Sequence, residues 1–413
     1  MRKRIREETI RKLSEIEIVS DELLKEMISN ELIHSEASKQ FSVGQRIEMI
    51  ERIFADIRGF DVLQTLLDDP SISEIMVNGV QKIFVEKHGK LLETPLSFDD
   101  EERLEYIIQK MVSKVGRTVN TMHPIVDARL ESGDRINVVL PPVSLNGPIL
   151  TIRKFQDGSL NMDQLIKIGT LSRECATELK TWMGQKYNIF ISGGTGSGKT
   201  TFLNALAEYI GPQERVISME DSAELRLQNL NNWIRLESRN KNAEGEGEIT
   251  IRDLLKTSLR MRPDRIIVGE IRGKEALDML QAMNTGHDGS LSTGHANSPL
   301  DMLRRIETMV MSSSDIPLPS IKNQIQSAID ILIHIARFPD GSRKITKICA
   351  VDDSTSNDYR LIDIYRFQSP DHERSASFGR LERTGEDPEA IEKLKRKSIG
   401  GGTYEDHQEL PFR

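Results

Sequence analysis

Cysteine is scarce in this chain, and long apolar runs are missing. The 413 residues include 2 cysteines, Cys175 and Cys349, which lie far apart and form no CxxC pair. Because a disulfide framework or a thiolate zinc site needs clustered cysteines, neither is predicted, and a reducing compartment fits. No stretch approaches the roughly 18 to 20 uninterrupted apolar residues that a bilayer span requires. The sequence therefore predicts no transmembrane segment.

Positive charge is not in excess either, since the formal net charge is -8 at pH 7. Proteins that coat nucleic acid carry the opposite sign, and 2 Trp and 6 Tyr offer few side chains for stacking on bases. No nucleic-acid partner is therefore expected. The first residues, MRKRIREETIRK, are basic but lack the apolar run of a secretory signal, which predicts a cytoplasmic protein.

Hydrophobic periodicity divides the chain into five segments. Residues 1–60 have helical periodicity and predict two or three amphipathic helices. Short alternating runs separated by Gly and Pro predict a small α+β domain over 61–156, followed by a polar linker or hinge at 157–171. Strands alternate with helical patterns over 172–368, which predicts an α/β domain with a doubly wound, mainly parallel sheet. The polar segment 369–413 is predicted to be a poorly ordered tail.

The segment YNIFISGGTGSGKTTFLNAL combines an apolar strand, a glycine-rich turn and a helix. It matches the Walker A pattern GxxxxGK[ST] from Gly193 to Thr200. Glycine allows backbone dihedrals and close approaches that a Cβ would prevent, so amide N–H groups can converge on phosphate. Lys199 is predicted to reach the β- and γ-phosphates, and the Thr200 hydroxyl to bind Mg²⁺. The predicted nucleotide site comprises Gly193, Gly194, Thr195, Gly196, Ser197, Gly198, Lys199, Thr200 and Thr201.

A second pattern, RPDRIIVGEIRG, reads as an apolar strand that ends in the carboxylate of Glu270. An acid beside a phosphate loop can hold Mg²⁺ through water or polarise the attacking water. The two motifs together predict a P-loop ATPase with ATP and Mg²⁺ as cofactors, whose hydrolysis drives a mechanical task. No other metal is inferred, because His287 and Asp288 in NTGHDGS do not give a ligand set.

The order of VISMEDSAEL, RPDRIIVGEIRG and AMNTGHDGSLSTGHANSPLDMLRRIE resembles the type II/IV secretion ATPase superfamily, and most of all its CpaF-type branch, the tight-adherence (Tad) pilus assembly ATPases. The likeness runs from about Leu66 to Asp352. HPIVDARLESGDRINVVLPP and NTGHDGS carry the CpaF-type character, and the missing CxxC pairs separate the chain from the zinc-bearing branch. The resemblance implies a RecA-like P-loop NTPase C-terminal domain, a smaller α+β N-terminal domain and an N-terminal helical extension.

The resemblance also implies two further motifs, one acidic and one that contains a histidine. The acidic Asp box matches Glu220, Asp221 and Glu224, and the His box matches Thr293, Gly294, His295 and Asn297. Within this pattern we choose Glu220 as the base that readies the lytic water, with Glu270 assisting at Mg²⁺. The reverse assignment of the two carboxylates stays open. His295 would sense whether ATP or ADP is bound.

Cations besides Lys199 are needed for the charge that develops on the transferred phosphoryl group. By the resemblance, these come from the N-terminal domain, at Arg129, Arg135 and Arg153. Three arginines that flank the predicted Glu270 strand, Arg260, Arg262 and Arg272, are weaker candidates because salt-bridge roles are more common for such residues.

The family further implies a homo-oligomeric ring, usually of six subunits, peripheral at the inner face of the cytoplasmic membrane. Such a ring would act on inner-membrane platform proteins of the pilus and would meet pilin only indirectly. Three alternatives stay open: an ATPase of a type IV secretion or conjugation system, a nucleic-acid-dependent hexameric motor, and a nucleotide-binding scaffold without turnover. The sequence does not distinguish pilus extension from retraction.

Overall fold

The chain divides into two compact units, Met1–Asp157 and Gly158–Arg413, each with its own hydrophobic core. This division comes from a computed structural model. The model describes residues 2–13, 20–35, 41–87, 89–155, 160–227, 229–239, 241, 246–354, 358–369 and 379–400. No helix within those ranges has both the length and the apolar character that a bilayer crossing demands.

The first unit begins with three helices, in agreement with the helical periodicity of the sequence. They are α1 (Arg2–Leu13), α2 (Asp21–His34) and α3 (Val43–Arg58). Serine caps begin two of them: the Ser20 hydroxyl accepts a hydrogen bond from the Leu23 amide, and Ser42 forms a capping box with Gln45. The helices share a small apolar core of Ile5, Leu24, Ile28, Leu32 and Ile53.

A mixed α+β fold follows in the same unit. Its elements are α4 (Val62–Asp68), β1 (Ile72–Asn78), β2 (Lys82–Lys87), β3 (Lys90–Glu93), α5 (Glu101–Lys114), β4 (Ile125–Arg129), β5 (Arg135–Val139) and β6 (Ile149–Arg153). The strands form one antiparallel sheet in the order β3-β2-β1-β6-β5-β4. Helix α5 buries one apolar face, including Leu104, Ile108 and Met111, in the core shared with the sheet.

The second unit is a larger α/β domain built on a sheet of nine strands. Its helices are α6 (Met162–Lys167), α7 (Arg173–Gly184), α8 (Lys199–Ala207), α9 (Ile251–Ser258), α10 (Glu275–Asn284), α11 (Pro299–Met311), α12 (Leu318–Ala328) and α13 (Glu392–Gly400). Its strands are β7 (Ile189–Gly193), β8 (Arg215–Glu220), β9 (Asn232–Glu237), β10 (Arg265–Val268), β11 (Leu291–His295), β12 (Ile331–Arg337), β13 (Arg343–Asp352), β14 (Arg360–Gln368) and β15 (Arg380–Arg383).

The strand order β15-β14-β13-β12-β7-β11-β10-β8-β9 explains where a site can form. The strands from β12 to β9 run parallel, while β13, β14 and β15 add antiparallel strands at one edge. Strands β7 and β10 are buried along their whole length, as expected for a parallel sheet covered on both faces. The fold class, an α/β domain with a smaller α+β domain, is confirmed. Ligands of such sheets bind at the carboxyl ends of the strands.

The predicted linker at 157–171 differs from the structure over most of its described part. Residues Met162–Lys167 form helix α6, which begins with a capping box between Asn161 and Gln164. Met162, Leu165 and Leu171 are buried in the core of the second unit. The polar side chains that indicated a linker are therefore cap residues of a short helix. Residues 157–159 lie outside the described residues.

The predicted disordered tail, 369–413, is wrong for residues 379–400. Strand β15 pairs with β14, and Ile391, just before α13, and Leu394 of α13 are buried in the core of the second unit. Lys397 of α13 forms a salt bridge of 2.7 Å with Asp330, which is buried. A few apolar residues are enough to order this segment, because the large core of the second unit covers them. The other parts of this prediction, 370–378 and 401–413, lie outside the described residues.

Candidate nucleotide site

The glycine-rich loop joins buried strand β7 to helix α8, at the carboxyl edge of the parallel strands. Gly196 and Gly198 have φ of 68° and 94°, in the left-handed region that favours glycine. At Gly193 a Cβ would lie 2.3 Å from the Ile335 carbonyl oxygen and 2.6 Å from Ser197 Oγ, so no larger residue fits. The loop is therefore a backbone cradle at a helix N-terminus, which suits phosphate.

Lys199 closes this cradle from the first turn of α8. Its Nζ donates to the carbonyl oxygens of Gly193 and Gly194 at 3.1 and 2.9 Å, and lies 3.3 Å from His295 Nδ1. The side chain is only 7% exposed. Burial lowers the pKa of Lys199, and the negative charge of Glu270 opposes that shift. A lysine held in this way offers a desolvated positive charge to an anion in the loop.

His295 lies between Lys199 and Glu270 because β11 and β7 are parallel neighbours, with His295 paired to Gly193. Its Nε2 is 3.0 Å from Glu270 Oε1, and its Nδ1 faces the Lys199 ammonium. Burial lowers the pKa of His295, although the Glu270 carboxylate acts in the other direction. A neutral ring with its proton on Nε2 matches these neighbours, since Nδ1 can then accept from the ammonium.

Glu270, just beyond β10, is the acid nearest to the phosphate loop lysine. Arg272 donates to its Oε2 at 2.8 Å, and its buried Oε1 faces His295 Nε2 at 3.0 Å. Burial favours protonation, but the hydrogen bond and charge of Arg272, with His295 and Lys199, hold the pKa of Glu270 below its ordinary value. The result is an ionised carboxylate that lies between Arg272 and His295. Arg272 is an ion-pair partner here, as the sequence indicated.

Glu220 ends strand β8 and is only 5% exposed. Its Oε1 accepts hydrogen bonds from the amides of Glu224 and Leu225 at 3.0 and 3.1 Å. A Cβ on Gly269 would lie 2.8 Å from Glu220 Cγ, so a glycine leaves the room that Glu220 needs. Burial raises the pKa of Glu220 to about 7, while the two amide hydrogen bonds act in the opposite direction. This carboxyl can exchange a proton near neutral pH.

The remaining residues of the two predicted motifs mainly support the strand ends. Thr293 Oγ1 donates to the Gly269 carbonyl at 2.7 Å and so joins β11 to the end of β10. Gly294 packs against Met302, whose Cε would be 2.7 Å from an added Cβ. Asp221 accepts a hydrogen bond from Ser238 and lies 3.7 Å from Arg272. Glu224 is partly buried and Asn297 is exposed.

The three predicted arginines come together within the first unit. Arg129 of β4 pairs with Arg135 of β5, and Arg135 pairs with Arg153 of β6. Residues directly opposite in an antiparallel sheet point to the same face, so the three side chains leave one face of the sheet, and we call these three residues the arginine row. Arg260 and Arg262, by contrast, are exposed residues ahead of β10, away from its carboxyl end.

Two arginines beside the phosphate loop were not predicted from the sequence. Arg343 of β13 donates from Nε to the Gly196 carbonyl at 2.9 Å, and Arg337 of β12 has a terminal nitrogen 3.8 Å from where a Gly196 Cβ would lie. The only local signal is the Asp-Gly turn between two strand patterns in HIARFPDGSRKI, which predicts a hairpin. The sequence does not reveal that this hairpin reaches the loop.

ATP and Mg²⁺ are the cofactors that these side chains fit. Mg²⁺ sites in nucleotide enzymes use one or two protein oxygens together with the phosphates of the substrate. The carboxylate of Glu270 and the hydroxyl of Thr200, in the first turn of α8, are protein oxygens of the right kind. Ser197 Oγ, inside the loop itself, is a further buried oxygen, and it has no hydrogen-bond partner among the described residues.

The site has the features of a P-loop ATPase: a strand that leads into a glycine cradle, a buried lysine at the start of a helix, and acids at the ends of neighbouring strands. The family described as "Type II/IV secretion system protein" matches residues 56–376, most of the chain. The chain therefore belongs to the type II/IV secretion system ATPase family.

Relatives carry names from conjugation and type IV secretion. The conjugal transfer protein TrbB of Rhizobium radiobacter is 30% identical over 318 residues, 76% of this chain and 94% of the relative. The type IV secretion system protein VirB11 of Bartonella henselae is 30% identical over 326 residues, 69% of this chain and 90% of the relative. The superfamily resemblance is thus confirmed, whereas these names do not single out the CpaF-type branch.

Solved structures agree at the level of fold. The pilus retraction motor PilT with bound ADP has a TM-score of 0.52 and 18% identity, and the match covers 82% of this chain and 87% of PilT. The ATPase DotB of Legionella pneumophila has a TM-score of 0.51 and 20% identity, over 70% of this chain and 79% of DotB. Both support the two-domain α/β architecture.

Proposed function

We propose that this chain is a Mg²⁺-dependent motor ATPase that powers a pilus or secretion machine. One observation carries the proposal: Lys199, His295 and Glu270 form a chain of contacts beside the glycine cradle. Lys199 Nζ lies 3.3 Å from His295 Nδ1, and His295 Nε2 lies 3.0 Å from Glu270 Oε1. A series of this kind links the phosphate position to the metal position. It gives the site a means of responding to the presence of the γ-phosphate.

Each residue has a distinct role in the proposed reaction. The loop amides and the N-terminus of α8 bind the phosphates, and Lys199 exchanges its carbonyl partners for phosphate oxygens. Thr200 and Glu270 would hold Mg²⁺, which neutralises phosphate charge when bound. Glu220 accepts a proton from the attacking water, and its raised pKa suits that task. His295 changes its hydrogen-bond partner when Lys199 turns toward phosphate.

The machine that we propose first is a Tad-type pilus assembly system, on the evidence of NTGHDGS and HPIVDARLESGDRINVVLPP. The chain would act there as a ring of identical subunits, at the cytoplasmic face of the inner membrane, against platform proteins. The names of the relatives favour a second candidate, an ATPase of a conjugation or type IV secretion system. Both candidates use the same catalytic chemistry.

A deletion strain should distinguish the two machines. For a Tad-type motor we expect loss of surface pili with unchanged DNA and effector transfer, and complementation should restore the pili. Loss of transfer with normal pili would instead establish the second candidate. Strong stimulation of the purified ATPase by single-stranded DNA would contradict both and return the chain to nucleic-acid motors.

The arginine row yields a prediction about turnover. Arg135 is its central member. Replacing Arg135 with alanine should lower kcat about tenfold or more, because the resemblance assigns this guanidinium to the charge that develops on the phosphoryl group. Phosphate release at saturating ATP is the measurement, with circular dichroism to check the fold. Arg52→Ala is a matched control, since Arg52 is an exposed arginine of α3 in the same unit. Equal kcat values for the two variants would reduce Arg135 to a surface residue.

A further inference from the structure

The β12–β13 hairpin places two arginine side chains beside the phosphate loop. Arg343 Nε donates to the Gly196 carbonyl at 2.9 Å, and its Cδ would be 3.2 Å from a Cβ on Gly198. Arg337 has a terminal nitrogen 3.8 Å from the Cβ position of Gly196. The hairpin reaches this place because β12 is the parallel neighbour of β7, with Ile335 beside Gly193. Two residues further on, β12 runs alongside the loop.

The two arginines also face each other. Arg337 and Arg343 are directly paired across the antiparallel β12–β13 ladder, so their side chains leave the same face. Like charges in such a position repel and destabilise a hairpin. Within the part of the chain that the structure describes, no carboxylate forms a salt bridge with either arginine. Both side chains are exposed, at the rim of a loop whose lysine already carries positive charge.

An anion at the loop would remove this repulsion. A guanidinium binds phosphate through parallel N–H donors, and it does so more strongly than neutral donors do. Arg343 uses Nε for the loop carbonyl, and that hydrogen bond does not involve its terminal nitrogens. Arg337 makes no hydrogen bond to the protein in the described ranges. A hairpin that only braced the loop would need Arg343 and would gain nothing from a second, opposed cation.

We infer that Arg337 and Arg343 form a cationic arm for the polyphosphate of the bound nucleotide, supplied by the same unit as the phosphate loop. Arg343 positions the loop through Gly196, and Arg337 contacts a phosphate oxygen. This inference rests on the proposed ATPase function and adds a phosphate contact to that site. The ligand class is a nucleoside di- or triphosphate, because a single cradle already accommodates one phosphate group.

The test is nucleotide binding by the full chain, with fluorescent ADP and ATP as probes. Arg337→Gln should weaken the affinity for both about tenfold or more, the range for loss of one charge-assisted hydrogen bond. The melting temperature without nucleotide should stay the same or rise, because the repulsion between the two arginines is removed, while the rise caused by ADP shrinks. Lys344→Gln is the matched control: it removes one positive charge from the next position of β13, where the side chain lies over Phe367 and on the other face.

The outcomes separate this inference from the proposed function. If wild-type protein binds and hydrolyses ATP but Arg337→Gln binds as tightly as Lys344→Gln, the cationic arm is wrong and the ATPase stands. If wild-type protein binds no nucleotide, the ATPase proposal itself fails. Arg343→Lys keeps the charge but cannot reproduce the fork of donors, so it should lose affinity as Arg343→Gln does. If Arg343→Lys binds nucleotide as tightly as wild type does, Arg343 does not have the positioning role assigned to it.

Discussion

Replacing Lys199 with alanine is expected to abolish ATP hydrolysis by the purified protein. The substitution removes the only ammonium that contacts both the Gly193 and Gly194 carbonyls and the His295 ring in the described site. Without it, charge on the β- and γ-phosphates is no longer neutralised, and the link to Glu270 is broken. We expect kcat to fall on the order of a thousandfold, as for loss of a central electrostatic contact in a closed site. The measurement is kcat, from the release of inorganic phosphate with Mg²⁺ present.

Lys180→Ala provides the control for this loss. Lys180 is an exposed lysine of α7 in the same unit, and its removal changes net charge by the same amount. Turnover of the control should equal that of wild type. If Lys199→Ala hydrolyses ATP as fast as Lys180→Ala, the glycine loop does not bind the reacting phosphates, and the assignment of a P-loop ATPase has to be abandoned.

The phosphate loop was predictable because its chemistry is local. Consecutive residues supply the strand, the left-handed glycines and the lysine, and the spacing alone fixes their order. The alternation of strands with helices likewise predicted the parallel sheet. The sheet in turn explains why Glu220, Glu270 and His295 lie at one edge, since each follows the end of a parallel strand.

Contacts between distant segments were not predictable. Arg343 meets Gly196 across 147 positions of sequence, and Lys397 meets Asp330 across 67. Such contacts depend on the strand order and on which edge each hairpin joins, and a periodicity of a few residues carries no information about either. The same limit applies to residues 379–400, whose polar composition indicated disorder while Ile391 and Leu394 are buried in the core. Composition describes a segment alone, whereas folding depends on what covers it.

The two carboxylates differ in a way that the sequence could not reveal. Glu270 is surrounded by Arg272, His295 and Lys199, and its pKa lies below its ordinary value despite burial. Among the described residues, Glu220 forms no salt bridge and instead accepts hydrogen bonds from two backbone amides. Burial raises its pKa to about 7. An acid that is always ionised suits a metal ion, and an acid that titrates near neutrality suits proton transfer. This contrast favours Glu220 as the base.

Glu220→Gln is therefore expected to bind ATP normally but to hydrolyse it about a hundredfold more slowly, because an amide cannot accept the proton of water. In the wild-type protein only the ionised carboxylate is active, so kcat should fall as the pH is lowered through about 7. The measurements are ATP affinity and kcat from pH 6 to 8. Glu270→Gln provides the comparison, since it should mainly raise the Mg²⁺ concentration required. If Glu220→Gln keeps wild-type turnover while Glu270→Gln binds ATP without hydrolysing it, the two roles are reversed.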